Sequence, residues 1–299
     1  MKPQLHDIGE NALLEYFSRT LPPGGSLRVG PGDDCAVASG HGDDVLLKTD
    51  ALVESVHFLA GEDPRKVGHK AVARVFSDIA AMGGTPMHLL VTLVLPATTP
   101  VAWLDGFYLG ARAICDRHLC RIAGGELSSL PGNGPIVISI AATGRIARGQ
   151  AVLRSGGQPG DVLAVTGTLG GSFASGHHLD FAPRLAEGQW LARHPGVHAM
   201  MDLSDGLAKD LPRLARASAC AFRLDAARLP VRPGCSASQA IGDGEDYELL
   251  VAIHPGAWPA ITSGWHHDFP AVQLTAIGVL LDAAIAAPVD LVGGWDHFR

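Results

Sequence analysis

The 299-residue sequence is poor in cations and has no long run of purely apolar side chains. It carries 23 Lys and Arg against 30 Asp and Glu, which gives a formal net charge of −7. A nucleic-acid surface needs clustered Lys and Arg, so this balance argues against nucleic acid as a partner. No apolar stretch is long and clean enough to span a bilayer, so we expect no membrane association.

Cysteine is also scarce, and its spacing excludes the common disulfide and zinc patterns. The five cysteines include no CxxC pair and are odd in number, so reduced, buried thiols are the simplest interpretation. The stretch MKPQLHDIGENALLEYFSRTL has the apolar spacing of an amphipathic helix rather than the pattern of a signal peptide. These features together predict a cytoplasmic protein.

Several well-known catalytic motifs are missing. The chain has no GxxxxGK[ST] loop, no HRD or DFG set, no GxSxG elbow and no HExxH pair. The segment TGTLGGS lacks the GxGxxG spacing of a dinucleotide-binding turn. The sequence therefore does not support a P-loop enzyme, a protein kinase, an α/β-hydrolase or a zinc protease.

The composition supplies ample core material, with 47% hydrophobic and 18% charged residues. Helical spacing predicts one long helix over 63–82, which ends at Gly83-Gly84, and a second over 101–118. The stretches DDVLLKTD and GPIVISIAATGRIA are typical of strands. The order helix, strands, helix, strands, helix, strand predicts an α/β or α+β fold rather than regular βαβ units.

A turn-rich segment around 146–160 indicates a domain boundary near residue 148, which divides the chain into domains 1–148 and 149–299. In the second half, DVLAVTG predicts a strand that leads into a glycine turn, and a helix is predicted after SDGL. Strands are predicted in CAFRLDAARL and YELLVAIHP, with a last strand pair near the C-terminus.

Carboxylates recur at the ends of these predicted elements. They lie in GPGDDCAV, LLKTDALVESVHF, RVFSDIAAMGG, IAGGELSSL, MMDLSDGL and GDGEDYELL. Taken singly, Asp33 and Asp34 could close a turn, Asp78 could be an isolated polar helix position, and Asp202 could be a helix N-cap. Mg²⁺, however, binds through a few carboxylates together with substrate phosphates. The whole series therefore favours a site for several Mg²⁺ ions and a nucleotide.

The chain resembles the thiamine-monophosphate kinases over nearly its whole length, through segments that occur in the family's order. These are GPGDDCAV, KTDALVESVHF, KAVARVFSDIAAMGGTP, AGGE, TGTLGG, DLSDGLAKDL and GDGEDYELL. The family belongs to the superfamily that includes aminoimidazole-ribonucleotide synthetase. The resemblance implies ATP-dependent phosphorylation of thiamine monophosphate to thiamine diphosphate, with ATP and several Mg²⁺ ions between two α/β domains. It also implies a homodimer that pairs through the sheets of the N-terminal domains.

The resemblance further implies roles for individual residues. The Mg²⁺ ligands would be Asp34, Thr49, Asp50 and Asp78 in the first half, and Asp202 and Asp205 in the second. Glu126 is a further predicted ligand. It stands where the family usually has the Asp of GGDT and can still ligate a metal ion, although its extra methylene shifts the carboxylate by roughly 1.5 Å. The ATP contacts would be Gly125, Arg154 and Ser204. The contacts to thiamine phosphate would be His57, Glu245 and Trp295.

On this interpretation, Asp202 and Asp205 have metal ions rather than basic side chains as partners. A helix N-cap at Asp202 or Ser204 is compatible with that role. The acceptor is a phosphate monoester with a second pKa of about 6, so no side chain is expected to act as acid or base. Metal ions would screen the repulsion between the two anions during in-line transfer. Glu245 and the aromatic face of Trp295 would suit the cationic thiazolium.

The sequence leaves three alternatives. Related superfamily enzymes share the scaffold, although selenophosphate synthetase needs a reactive N-terminal Cys or selenocysteine and the hydrogenase-maturation protein ends in a Cys. A metal-dependent phosphohydrolase could use the same acids to activate water. A non-catalytic nucleotide binder is the third, and the Glu126 replacement makes it plausible.

Overall fold

The computed structural model describes residues 4–8, 10–21, 23–284 and 291–297. Its first half contains a six-stranded sheet with strands β1 (Leu27–Val29), β2 (Ala36–Ser39), β3 (Asp44–Val53), β4 (Thr85–Pro96), β5 (Arg121–Leu130) and β6 (Val137–Ile146). The helices of this half are α1 (Leu5–Ile8), α2 (Glu10–Thr20), α3 (Pro64–Ala81) and α4 (Val101–Arg117). The strand order is β1-β2-β3-β6-β4-β5. All neighbours are antiparallel except β4 and β5, which run parallel.

Helix α3 is the central helix of this half and carries several residues of the site. It begins after Asp63, whose side chain accepts a hydrogen bond from the backbone N–H of Arg65, and it ends before Gly83 at φ 75°. Most of α3 is buried because α4, β3 and β6 cover it. The approach to α4 depends on Gly68, where a Cβ would lie 2.0 Å from the carbonyl oxygen of Phe107. The helices predicted over 63–82 and 101–118 are confirmed.

The second half contains a five-stranded antiparallel sheet. Its strands are β7 (Val162–Thr166), β8 (Val197–Asp202), β9 (Cys220–Leu224), β10 (Leu249–Ile253) and β11 (Leu274–Asp282). Its α-helices are α5 (Ser172–Ser175), α6 (Leu185–Ala192), α7 (Leu207–Ala217), α8 (Ala237–Gly242) and α9 (Trp258–Asp268). The strand order is β8-β10-β7-β11-β9. Strands β7, β8 and β10 are apolar and almost wholly buried, since helices cover the sheet.

The mixed α/β architecture predicted from the sequence is confirmed, with one sheet in each half of the chain. The boundary near residue 148 and the pairing of two N-terminal sheets remain predictions. The strand predicted in CAFRLDAARL ends at Leu224 and gives way to a 3₁₀ turn over Ala226–Arg228. Of the strand pair predicted near the C-terminus, the structure describes β11, and residues 285–290 lie outside the described part of the chain.

The alternative of an N-cap at Asp202 or Ser204 is wrong for helix α7. The helix begins at Leu207, and its cap position is Gly206 at φ 99°, which offers no side-chain oxygen. Asp210, in the first turn, instead accepts a hydrogen bond from the backbone N–H of Asp205 at 3.0 Å. Asp202 and Ser204 therefore precede the helix and are not committed to capping it.

The cysteine prediction is confirmed in part. The five cysteines are free thiols, and Cys35, Cys115 and Cys120 are buried. Cys220 and Cys235 are only partly buried, so complete burial was wrong for these two. Among the described residues, no helix combines the length and the apolar character that crossing a membrane requires.

Candidate active site

Three carboxylates from distant parts of the chain meet at one buried point. Asp34 precedes β2, Asp78 lies in the last turn of α3, and Asp202 ends β8. One oxygen of each lies within 4.8 Å of the others, and all three side chains are buried. We call Asp34, Asp78 and Asp202 the carboxylate trio. Its assembly confirms that these acids of the series share a location, which neither a turn nor an isolated helix position explains.

The trio has the donor chemistry of a site for a hard cation. Among the described residues, Asp34 Oδ2 is a buried oxygen with no hydrogen-bond partner, and burying such an atom unpaired is costly. Burial and then the nearby charge of Asp34 raise the pKa of Asp202 to about 7. Burial also raises the pKa of Asp78 well above its ordinary value. A divalent cation with oxygen ligands would offset these repelling charges, so the residues present fit Mg²⁺.

Basic side chains already contact several of the acids, and for Asp205 this corrects the expectation of metal ions rather than basic side chains as partners. Arg154 Nη2 lies 2.6 Å from Asp34 Oδ1, and Lys48 Nζ lies 2.6 Å from Asp78 Oδ1. Asp205 forms a short ion pair with Arg213. Within the described residues Asp202 forms no ion pair with a basic side chain; it accepts a hydrogen bond from the hydroxyl of Ser77 at 2.7 Å, and a metal ion at Asp202 stays a prediction.

Asp50 lies close to the trio but is not a member of it. Its carboxylate is 3.4 Å from Lys48 Nζ and 3.9 Å from Arg74 Nε. Burial raises the pKa of Asp50, but the charges of Lys48 and Arg74 outweigh that effect and hold it below its ordinary value. Asp50 is therefore ionised at neutral pH and shares Lys48 with Asp78.

Two predicted ligands, Thr49 and Glu126, are on the other face of the sheet. Side chains alternate along a strand, so Thr49 and Asp50 of β3 point to opposite faces. Glu126 pairs in register with Thr92, and Thr92 pairs with Ser139, whose hydroxyl lies 3.5 Å from that of Thr49. Thr49 and Glu126 are both exposed. We call this side, which is turned away from α3, the outer face. The structure thus does not bring these two residues to the trio.

The predicted nucleotide contacts have visible structural roles. Gly125 lies where β5 passes close to β4, and a Cβ there would be 1.8 Å from the carbonyl oxygen of Val91. Arg154 donates its backbone N–H to the carboxylate of Asp33, at 3.2 Å, and its guanidinium to Asp34. Nucleotide contacts at Gly125 and Arg154 stay predictions.

A cavity of about 370 Å³ lies beside the acids of the site, and Asp205 forms part of its lining. It brings together five predicted site residues, His57, Ser204, Asp205, Glu245 and Trp295. The cavity is also lined by residues for which the sequence analysis predicted no binding role, namely Ser55, Val56, Leu59, Arg74, Phe173, Asp243, Tyr247 and His297. Its walls come from both halves of the chain, which is why short motifs could not define it.

Backbone strain is concentrated around this cavity. Non-glycine residues rarely adopt positive φ, and such residues often occur at functional sites. Three of the cavity-lining residues do so: Ser55 at φ 68°, Glu245 at 56° and Tyr247 at 51°. The turn-rich GDGEDYELL was the available sequence signal for the last two. The left-handed conformation turns both side chains into the cavity immediately before β10.

Glu245 is held by a buried lysine that the sequence analysis missed. Lys70 of α3 is fully buried and donates hydrogen bonds to Glu245 Oε2, at 2.7 Å, and to the carbonyl oxygen of His57. Burial alone would raise the pKa of Glu245, but the hydrogen bond from His178 and the charge of Lys70 lower it to about 2. A single Lys within the apolar pattern KAVARVF was the signal for this contact.

The remaining predicted substrate residues form the cavity rim. Burial, followed by the charge of Arg74, lowers the pKa of His57 to about 4, and its Nδ1 accepts a hydrogen bond from the backbone N–H of Val53. His57 is therefore neutral and carries its proton on Nε2. Trp295 is half exposed, and its backbone N–H donates to the carbonyl oxygen of Asp205 at 2.9 Å. This bond fastens the described C-terminal segment, 291–297, along the rim.

Family models match both halves of the chain. The model described as AIR synthase related protein, N-terminal domain, matches residues 32–146, and the corresponding C-terminal domain model matches residues 176–262. The thiamine-monophosphate kinase of Escherichia coli K12 is 34% identical over 82% of each chain. The enzyme of that name from Rhodopirellula baltica is 37% identical, also over 82% of each chain. The one from Mycobacterium tuberculosis H37Rv is 34% identical over 99% of this chain and 93% of its own.

Solved structures show the same relationship. The structure titled AaThiL complexed with AMPPCP and TMP superposes with a TM-score of 0.85 at 29% identity, over 99% of both chains. The HypE–HypF complex, at 17% identity and a TM-score of 0.74, shares the fold alone. The two domain models and the identities above 30% over most of the chain indicate the same family. The geometry of the site agrees with that assignment. The chain belongs to the AIR synthase related family and, within it, to the thiamine-monophosphate kinases.

Proposed function

We propose that the protein transfers a phosphoryl group from ATP to thiamine monophosphate and forms thiamine diphosphate. The observation that carries the proposal is the junction at the end of β8. There Asp202 enters the buried carboxylate trio, and Ser204 and Asp205 line the cavity two and three residues later. A cation site and a ligand cavity therefore share one strand end, as a metal-dependent transfer between two phosphates requires. The solved relative holds AMPPCP and TMP, according to its title.

The carboxylate trio would hold Mg²⁺, with Asp50 and Asp205 as neighbouring ligand candidates. When bound, Mg²⁺ supplies charge neutralisation for the phosphate oxygens. Thr49 and Glu126 stay predicted ligands, but they lie on β3 and β5 with β6 and β4 between them, so they would not share one ion.

The protein's own groups bind and orient the substrates. Arg154, Ser204 and the backbone at Gly125 would contact ATP. Trp295 and Tyr247 give the cavity aromatic walls that suit the thiamine rings, and Glu245, ionised at neutral pH, places a carboxylate there for the cationic thiazolium. No side chain needs to deprotonate the acceptor, because its phosphate is mostly dianionic at neutral pH. The neutral His57 acts as a hydrogen-bond donor.

The proposal includes the organisation of the molecule. Residues 1–148 and 149–299 would form two domains, and two copies would pair through the outer face of the first sheet, in the cytoplasm. Supporting the pairing, Leu47 is 41% exposed and Leu90 is 51% exposed on adjoining parts of that face. An exposed apolar sheet surface of this kind is typical of an interaction site.

Product analysis with purified protein, ATP, Mg²⁺ and thiamine monophosphate tests the activity. We expect ADP and thiamine diphosphate to form one for one. Free phosphate without thiamine diphosphate would instead identify a phosphohydrolase. Nucleotide binding without any product would identify a binder or an enzyme for another acceptor. Omission of thiamine monophosphate is the control, because a kinase then forms almost no ADP whereas a hydrolase of ATP is unaffected.

A further inference from the structure

Arg74 of α3 lies between the acids and the cavity. Arg74 lines the cavity together with His57, Glu245 and Tyr247. On the other side, its Nε is 3.9 Å from Asp50 Oδ2, and Nη1 donates a hydrogen bond to the carbonyl oxygen of Ala51 at 3.0 Å. The group therefore faces both the proposed metal ligands and the proposed substrate space.

The guanidinium is also incompletely satisfied. Within the described part of the chain, its bond to Ala51 is its one hydrogen bond. Nε is buried without a hydrogen-bond partner, since Asp50 Oδ2 lies 3.9 Å away. A buried N–H donor that has lost water and gained no acceptor is costly, so such groups usually indicate a ligand or an ordered water. The fork of donors on Arg matches phosphate oxygens in particular.

Charge in the cavity points to the same ligand class. Among the described lining residues, Arg74 is the only Lys or Arg. The cavity acids already have other partners: Glu245 pairs with Lys70, Asp205 with Arg213, and Asp243 accepts the backbone N–H of Gly171 at 2.9 Å. A dianionic phosphate that enters the cavity would therefore meet one positively charged lining residue, Arg74.

We propose that Arg74 binds the phosphate group of the acceptor and positions it beside the carboxylate trio. This inference rests on the proposed function and adds a specific residue to it. The acceptor phosphate is favoured over the nucleotide because the cavity that Arg74 lines contains all three predicted contacts of thiamine phosphate, His57, Glu245 and Trp295. Of the predicted ATP contacts it contains Ser204 alone.

Calorimetric titration in the absence of ATP tests the proposal without relying on turnover. Thiamine monophosphate and thiamine share their rings and differ in the phosphate. Wild type should bind the monophosphate more tightly than thiamine. Arg74→Gln should weaken binding of the monophosphate about tenfold to hundredfold, the range of a hydrogen bond to a charged group. Its affinity for thiamine should stay within twofold, which also shows that the cavity remains folded.

Two further variants sharpen the comparison. Arg65→Gln removes the same charge as Arg74→Gln, but from an exposed position of the same helix. It should leave the affinities for thiamine monophosphate and for thiamine unchanged. Arg74→Lys keeps the charge but loses the fork, and should recover part of the affinity for the monophosphate. In steady-state assays, Arg74→Gln should raise KM for thiamine monophosphate while KM for ATP changes less than twofold.

The outcomes separate this inference from the proposed function. If Arg74→Gln binds the monophosphate as tightly as wild type, or loses thiamine equally, the inference is overturned and the kinase proposal stands. A rise in KM for ATP alone would also overturn it, by assigning Arg74 to the nucleotide. If wild type binds no thiamine monophosphate and makes no thiamine diphosphate, both proposals fail together.

Discussion

Lys48 and Asp78 form an ion pair, 2.6 Å from Nζ to Oδ1, that connects β3 to α3 beside the carboxylate trio. Burial alone would lower the pKa of Lys48, but the charges of Asp50 and Asp78 raise it above its ordinary value. The ammonium is therefore a resident cation among acids that would otherwise repel one another. Its position shows that protein charges already balance part of the site's negative charge.

Replacement of Lys48 should expose this repulsion. Removal of one partner from a largely buried pair costs about 3 kcal/mol of unfolding free energy, so Lys48→Met should be destabilised by roughly that amount without Mg²⁺. Millimolar Mg²⁺ should restore more stability to the variant than to wild type. Urea denaturation measures both effects. Lys66→Met, at the half-exposed pair with Asp180, is the control and should change by less than about 0.5 kcal/mol. Equal losses in the two variants would contradict the role of Lys48.

Asp78→Asn should abolish most activity while leaving the fold intact. The loss of a charged group that supports the transition state typically costs a factor on the order of 10²–10³ in turnover. The Asn retains the size of the side chain, so circular dichroism should be unchanged. Affinity for Mn²⁺, followed by its paramagnetic signal, should fall in parallel. Asp116→Asn, at an exposed ion pair on α4, should retain full activity. Near-normal turnover in Asp78→Asn would exclude it as a metal ligand.

The buried carboxyl of Asp202 should make the metal-free protein less stable as the pH rises. Its pKa is about 7 in the folded state, against an ordinary value of 3.8. The folded protein therefore binds the proton more tightly, and this stabilisation is complete below pH 4 and lost as the pH rises through 7. Relative to wild type, Asp202→Asn should gain roughly 2–4 kcal/mol between pH 4 and 8 in the presence of a chelator. If the difference in unfolding free energy between Asp202→Asn and wild type does not change with pH, the pKa of Asp202 is not raised in the folded protein.

Close packing of α3 against α6 should be sensitive to a single methyl group. At Gly188 of α6, a Cβ would lie 2.1 Å from the carbonyl oxygen of Ala80, so Gly188→Ala must displace one helix. We expect a loss of about 1–3 kcal/mol in thermal or urea unfolding. Gly42→Ala is the control, because its Cβ would meet nothing within 4 Å. If the two variants unfold alike, the helices are less tightly packed than the structure shows.

Local features that depend on neighbouring residues were predictable from the sequence. Helix α3 follows from its apolar spacing, from Asp63 at its start and from Gly83 at its end. The carboxylates at element ends drew attention to Asp34, Asp78 and Asp202, which do lie together, while their role as metal ligands stays a prediction. Resemblance extended this to the family, because several separated segments had to agree in order. Each of these inferences needs only side-chain type and spacing along the chain.

Tertiary structure decided which predicted residues meet and what balances their charge. Strand alternation separates Thr49 from Asp50, and the register of β5 with β4 places Glu126 on the outer face. The partners Lys48, Arg154 and Lys70 come from elements far along the chain from the acids they contact. The sequence gives the identity of a charged residue and its place in an element. Its partner depends on how distant elements pack. The sequence by itself therefore determined the family and the acids, and packing determined the cavity, the ion pairs and the open donor of Arg74.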